Sequence, residues 1–176
     1  MTKIWKTSSA EETIAVGRTL ASILAPPKLL ILRGDLGAGK TTLVKGIAAG
    51  LGAAEVDEVT SPTFTLVHEY AGGGGASSGN ATEHDRGHYA GREHAGGDDA
   101  GGERAGGTVR LFHLDLYRLE QERELLTLGL EEIEAAENIV LVEWGEKFAS
   151  IASRADGEIT IRITGDDARE ISLQLG

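Results

Sequence analysis

An α/β fold with a mostly parallel central sheet is predicted by three features of this 176-residue sequence. The segment Leu29-Leu30-Ile31-Leu32 is apolar without alternation, as strands covered on both faces of a parallel sheet are. Directly after it, Gly34-Asp35-Leu36-Gly37-Ala38-Gly39-Lys40-Thr41 fits G-x-x-x-x-G-K-[ST], a phosphate-binding loop set between a strand and a helix. A further apolar strand, Asn138 to Trp144, ends in a carboxylate and an indole, Glu143-Trp144. These features define a P-loop NTPase-like, three-layer domain over residues 1–176, and the clean alternation near the C-terminus adds an antiparallel hairpin.

The chain opens on a short strand, Lys3 to Lys6. Ser8 with Glu11, or Ser9 with Glu12, forms an S-x-x-E capping box that starts a helix near Ala10. Ile14, Leu20, Ala21 and Leu24 share one face of that helix, and Pro26-Pro27 ends it. The helix after the phosphate loop runs from Thr41 to Leu51 and stops at Gly50 or Gly52. The loop Val59 to Phe64 follows, with Pro62 disfavouring helix, and then a strand from Thr65 to Tyr70.

Ala71 to Gly107 differs from its surroundings, holding 13 of the chain's 25 glycines and no Val, Ile, Leu, Met, Phe or Trp. Such a composition buries too little apolar surface to offset ordering entropy, so a disordered insert is expected. His84, His88 and His94 lie within it, but metal binding needs a fixed ligand geometry that a Gly-rich segment does not supply. From Val109 to Arg118 order is expected again, with Phe112, Leu114 and Leu116 on one strand face and His113, Asp115 and Tyr117 on the other. If Thr65–Tyr70 and Val109–Tyr117 pair, the insert is an overgrown loop between neighbouring strands. Helical stretches follow from Glu120 to Thr127 and around Glu131-Glu132-Ile133. Ile159, Ile161 and Ile163, then Ile171, Leu173 and Leu175, alternate across a turn at Gly165.

Composition narrows the function classes. There is no cysteine, which excludes disulfide and thiolate chemistry. No long apolar run marks a membrane span or signal peptide, so a soluble cytoplasmic protein, monomeric when free, is expected. A formal net charge of −11 gives no global attraction to nucleic acid, so direct RNA or DNA binding by this chain alone is not expected. An acidic surface is compatible with docking a basic protein partner.

The motifs outline a nucleotide site. Gly37, Ala38 and Gly39 turn backbone N–H groups toward a polyphosphate, Lys40 reaches the β- and γ-phosphates, and Thr41, followed by Thr42, holds Mg²⁺ at the helix start. Asp115 and Glu143 each end an apolar strand and can converge above the sheet edge as metal or water ligands. The Ser/Thr-rich loop Ser61-Pro62-Thr63 lies where a γ-phosphate sensor sits in many such proteins, although its composition is also that of an ordinary turn. Trp144 reads equally as a stacking residue or as core, and His113 as a core histidine or a carboxylate partner. No N-K-x-D guanine reader occurs, which favours ATP, with adenine held near Ser8–Glu11, Ser9 among them, or near the turn at Gly165.

Four stretches in order, Gly34–Thr42, Ser61–Val67, His113–Leu119 and Leu141–Trp144, resemble the TsaE (YjeE) family of bacterial P-loop ATPases over essentially the whole chain apart from the insert. The resemblance implies a subunit of the machinery that makes N6-threonylcarbamoyladenosine on tRNA. Such a subunit binds ATP and Mg²⁺, hydrolyses ATP weakly, and docks on TsaD-like and TsaB-like proteins to reset them. It further implies Lys40 as a phosphate ligand, Thr63 as γ-phosphate sensor and Asp115 as the Walker B acid. Glu143 then completes the Mg²⁺ or water site, and Trp144 packs on the switch loop. Two other readings share the loop. One is a small-molecule kinase, for which Arg118 and Arg123 are the available lid arginines; the other is a nucleotide-gated binding module with incidental hydrolysis.

Overall fold

The computed structural model describes residues 1–71, 109–135 and 138–176. The insert, with His84, His88 and His94, therefore lies outside the described residues, except that Ala71 closes a strand instead of opening the insert.

Each strand follows from its pattern. β1 (Thr2–Thr7), β2 (Lys28–Arg33), β3 (Val67–Ala71), β4 (Arg110–Asp115), β5 (Asn138–Glu143), β6 (Gly157–Ile163) and β7 (Arg169–Leu175) form one sheet in the order β1-β7-β6-β2-β5-β4-β3. The four inner strands β6, β2, β5 and β4 are parallel. The flanks are antiparallel: β7 on β6, β1 on β7, and β3 on β4. The sheet is thus parallel at its centre and mixed as a whole. Strands β2, β4 and β5 are buried on both faces, which is why their sequences lack alternation apart from polar residues with a task.

Helices cover both faces. α1 (Ala10–Ile23) and α2 (Lys40–Leu51) lie on one side with Leu30, Leu32, Leu111, Ile139 and Leu141. The short helices α3 (Glu122–Leu125), α4 (Leu130–Ala135) and α5 (Ala149–Ala152) lie on the other with Leu29, Phe112, Leu114, Val140 and Val142. Leu20, Leu30, Leu43 and Ile47 are fully buried, each contributing about 1.5–3 kcal/mol on transfer grounds. The helix expected over Glu120–Thr127 is shorter than predicted, because a 3₁₀ turn at Leu126–Leu128 and a left-handed Gly129 interrupt it.

Local signals fix the helix ends. Ser9 caps α1 by accepting from the Glu12 N–H at 3.1 Å, while the Glu12 carboxylate accepts from the Ser8 N–H, one residue earlier than a reciprocal capping box requires. Gly52, at φ 67°, ends α2. The two long helices meet through glycines: a Cβ on Gly46 would lie 2.1 Å from the Ile14 carbonyl oxygen, and one on Gly17 2.4 Å from that of Leu43. This close crossing seats α2, and with it the phosphate loop, against the sheet.

Candidate functional site

The loop between β2 and α2 has the backbone that its glycines allow. Gly37 and Gly39 sit at φ 77° and 103°, and a Cβ on either would meet nothing within 4 Å, so the constraint there is conformational. Ala38 is buried beneath the loop, and Thr41 and Thr42, both half-buried, form the first turn of α2. Lys40 folds back across its own loop, donating to the carbonyls of Gly34 at 2.7 Å and Asp35 at 3.1 Å. Its Nζ also lies 3.4 Å from Glu143 Oε2.

Strand parity and register bring the acids together. Residues 111, 113 and 115 of β4 and 139, 141 and 143 of β5 point to the α1/α2 face, the side on which the phosphate-loop helix packs. Asp115 pairs with Glu143 in the parallel ladder, and Glu143 with Leu32 at the end of β2. The predicted alternation holds within β4 from Phe112 to Asp115, while Leu116 and Tyr117 lie beyond the strand, and His113 and Asp115 face covered protein: their exposures are 0% and 4%, and that of Glu143 is 4%. His113 Nε2 lies 2.9 Å from Glu143 Oε1. A carboxylate oxygen accepts, so Nε2 is the donor in this pair, and the other ring nitrogen, Nδ1, has no partner among the described residues. Both readings of His113 thus hold at once, since it is a core histidine and a carboxylate partner.

The Ser61–Thr65 loop reaches the same edge. Thr63 donates to Asp115 Oδ2 at 2.8 Å and lies within 2.8 Å of the Ser61 hydroxyl, while Asp115 Oδ1 accepts from the Tyr117 N–H. The loop closes as a turn, with the N–H groups of Thr65 and Leu66 both on the Pro62 carbonyl. Its base is anchored on β3, where the Tyr70 hydroxyl donates to the Thr60 carbonyl at 3.2 Å and His68 Nδ1 lies within 3.3 Å of the same oxygen. Burial pushes the His68 pKa below its ordinary value, and the Thr60 carbonyl partly opposes that. Phe64, 83% exposed, carries the Arg118 guanidinium 4.7 Å over its ring.

Trp144 is left-handed at φ 62°, and so is Leu66 at φ 67°; among the described residues these are the non-glycine positions with positive φ, and both border the site. Strain of roughly 1–3 kcal/mol per such residue concentrates where the surrounding structure enforces it. The ring of Trp144 packs on that of Tyr117, in the segment after β4, with 5.3 Å between centroids. Trp144 also lines a cleft of about 220 Å³ with Gly34, Asp35, Lys40 and Glu146.

Ser9 and Gly165 stand at this same end of the sheet, since β1 and β6 both finish there. The Ser9 hydroxyl is occupied as a helix cap. Gly165 is tied to the phosphate loop by a residue that sequence reading passed over. Arg169 donates through Nε to the Ala38 carbonyl at 2.9 Å and through Nη1 to the carbonyls of Gly165, Asp166 and Ala168. An arginine opening a hairpin strand carries no motif, so no local signal marks it.

A central parallel sheet with a G-x-x-x-x-G-K-T loop at its carboxyl edge, and buried acids from two neighbouring strands beside it, defines a P-loop domain. The family model described as "Threonylcarbamoyl adenosine biosynthesis protein TsaE" matches residues 7–83 and 102–171. Curated tRNA threonylcarbamoyladenosine biosynthesis proteins TsaE are similar along most of their length. The one from Bacillus subtilis is 34% identical, with 96% of this chain and 83% of that protein aligned, and the one from Treponema pallidum is 30% identical over 94% and 95%. A crystal structure of Bacillus subtilis YdiB superposes with a TM-score of 0.61 at 30% identity, covering 99% of this chain and 86% of that one. The chain belongs to the TsaE family of threonylcarbamoyladenosine biosynthesis proteins.

Proposed function

We propose that this chain binds ATP with Mg²⁺, hydrolyses it slowly, and couples that cycle to tRNA threonylcarbamoylation while docked on TsaD-like and TsaB-like proteins. The observation that carries the reading is the convergence of Lys40, the Thr63–Asp115 pair and the His113–Glu143 pair at one edge of the sheet. The residues suit a Mg²⁺–nucleotide. A lysine lies across the loop, two buried carboxylates stand at the same edge of the sheet, and Thr41 lies in the first turn of the helix that follows, as residues that would hold the metal.

Each residue then has a task. Lys40 exchanges the Gly34 and Asp35 carbonyls for phosphate oxygens, which releases Glu143 Oε2 from its cation. Thr41 and Asp115 would hold Mg²⁺, which would supply charge neutralisation to the bound polyphosphate. Thr63 hands its hydrogen bond from Asp115 to the γ-phosphate, carrying the Ser61–Thr65 loop with it. Glu143, fixed through Oε1 by His113, orients water through Oε2. Trp144 closes the cleft beside the loop.

The test is multi-turnover tRNA modification with purified TsaB and TsaD homologues. Lys40→Ala is expected to abolish repeated turnover, and full activity of that variant would remove the ATPase role. The kinase reading gains nothing from Arg118, which is engaged on Phe64.

A further inference from the structure

We infer that Arg169 is a positioning residue for the phosphate loop: by holding the Ala38 carbonyl it aims the Gly39 N–H into the anion cradle. The inference rests on the nucleotide-binding reading and adds to it a residue outside every motif.

The geometry follows from peptide planarity. The Ala38–Gly39 bond is trans, so its C=O and N–H point in opposite directions from one rigid plane. Arg169 Nε fixes the carbonyl end at 2.9 Å. The N–H of Gly39 must then face away from Arg169, and among the described residues it donates to nothing. The next group along the chain is already committed, since the Gly39 carbonyl accepts from the Leu43 N–H at 2.9 Å as the first turn of α2. Without Arg169 the plane between them has a freely rotating glycine, at φ 103°, on one side. A flipped plane would present a carbonyl oxygen to the phosphate in place of a donor, which repels an anion.

Arg169 is itself held. Its Nη1 spans the carbonyls of Gly165, Asp166 and Ala168 at 3.2, 3.1 and 2.9 Å, and its backbone sits in the ladder opposite both Thr7 and Ile163. The guanidinium's rigid fork lets one side chain serve both the loop and the turn, which a lysine ammonium cannot do at once. The β6–β7 turn and the phosphate loop thereby behave as one piece.

The experiment compares wild type, Arg169→Ala and Arg169→Lys in ADP and ATP binding, in steady-state hydrolysis, and in amide NMR of nucleotide-free protein. Because the Gly39 N–H would contact phosphate in ground and transition states alike, Arg169→Ala is expected to raise KM and the ADP Kd about tenfold with kcat unchanged. Arg169→Lys is expected to recover part of that loss. A merely structural arginine would instead lower kcat through lost active protein and leave KM alone, and that pattern overturns the inference. In nucleotide-free protein the Gly39 amide resonance is expected to shift and broaden in Arg169→Ala while that of Leu43 stays. An unchanged Gly39 resonance overturns the inference whether or not the chain binds nucleotide. Failure of wild type to bind ADP or ATP, with the Gly39 shift present, refutes the nucleotide reading alone.

Discussion

Glu143 is gripped at both oxygens, by His113 on Oε1 and by Lys40 on Oε2, and the two contacts differ in kind. The histidine is sealed in the core, whereas the lysine is the group that a phosphate would draw away. His113→Leu removes the fixed partner and leaves a buried carboxylate oxygen unpaired. A stability loss of roughly 1–3 kcal/mol in denaturant unfolding is expected. Turnover should fall about 10–100-fold, the usual cost of losing an outer partner of a site ligand, with nucleotide Kd little changed. His113→Gln, which can still donate toward Oε1, should retain most turnover; equal loss in both variants would show that His113 acts by packing. At this scale the sequence singled out Lys40, Thr41, Asp115 and Glu143 as candidates from their motifs, and the structure sets Lys40 against Glu143 and Asp115 beside it in the ladder. The sequence was silent on the left-handed Leu66 and Trp144, because a positive φ at a large side chain is imposed by neighbours and has no composition of its own.

The elements carry two further tests. α1 and α2 touch backbone to backbone at Gly17 and Gly46, so Gly46→Ala must push the helices apart or distort one of them. A loss of about 1–3 kcal/mol is expected, read as a lower unfolding midpoint, with nucleotide affinity reduced in step as the loop at the head of α2 shifts. The second concerns β3. Burial holds the His68 pKa below its ordinary 6.5, so as pH falls through that value the unfolded chain takes up the proton first. The stability contributed by neutral His68 is therefore complete above about pH 6.5 and declines on acidification toward the lower folded pKa. Urea melts at successive pH values should show this slope, and His68→Asn should flatten it. The helix starts and stops were readable because caps and left-handed glycines are local events. The pairing of β3 with β4 could be posed from the sequence, since both strands flank the insert, but the full burial of His113 and the partial burial of His68 across that pair depended on the sheet's position.

For the whole molecule, Ala71 and Arg110 face each other across the β3–β4 ladder, so the chain enters and leaves the intervening segment within one strand spacing. Replacing residues 73–108 by a tight hairpin turn should keep nucleotide binding and the fold. By loop-closure entropy alone, shortening by about three doublings of loop length should stabilise by roughly 2 kcal/mol. Loss of folding or binding in that variant, measured by thermal melts and nucleotide titration, would show that the segment contributes contacts.

The sequence by itself determined where the strands fall to within a few residues, the phosphate loop, the family resemblance and the candidate residues Lys40, Thr41, Asp115 and Glu143. Those follow from periodicity, glycine backbone freedom and fixed motif spacing, all properties of neighbouring residues. Only the tertiary structure decided the strand order, the antiparallel flanks, the lysine lying across its own loop, and the arginine that grips Ala38 from 131 residues away. Such contacts depend on which strands become neighbours, a choice made by packing of the whole sheet between its helices, and no local stretch of sequence records it.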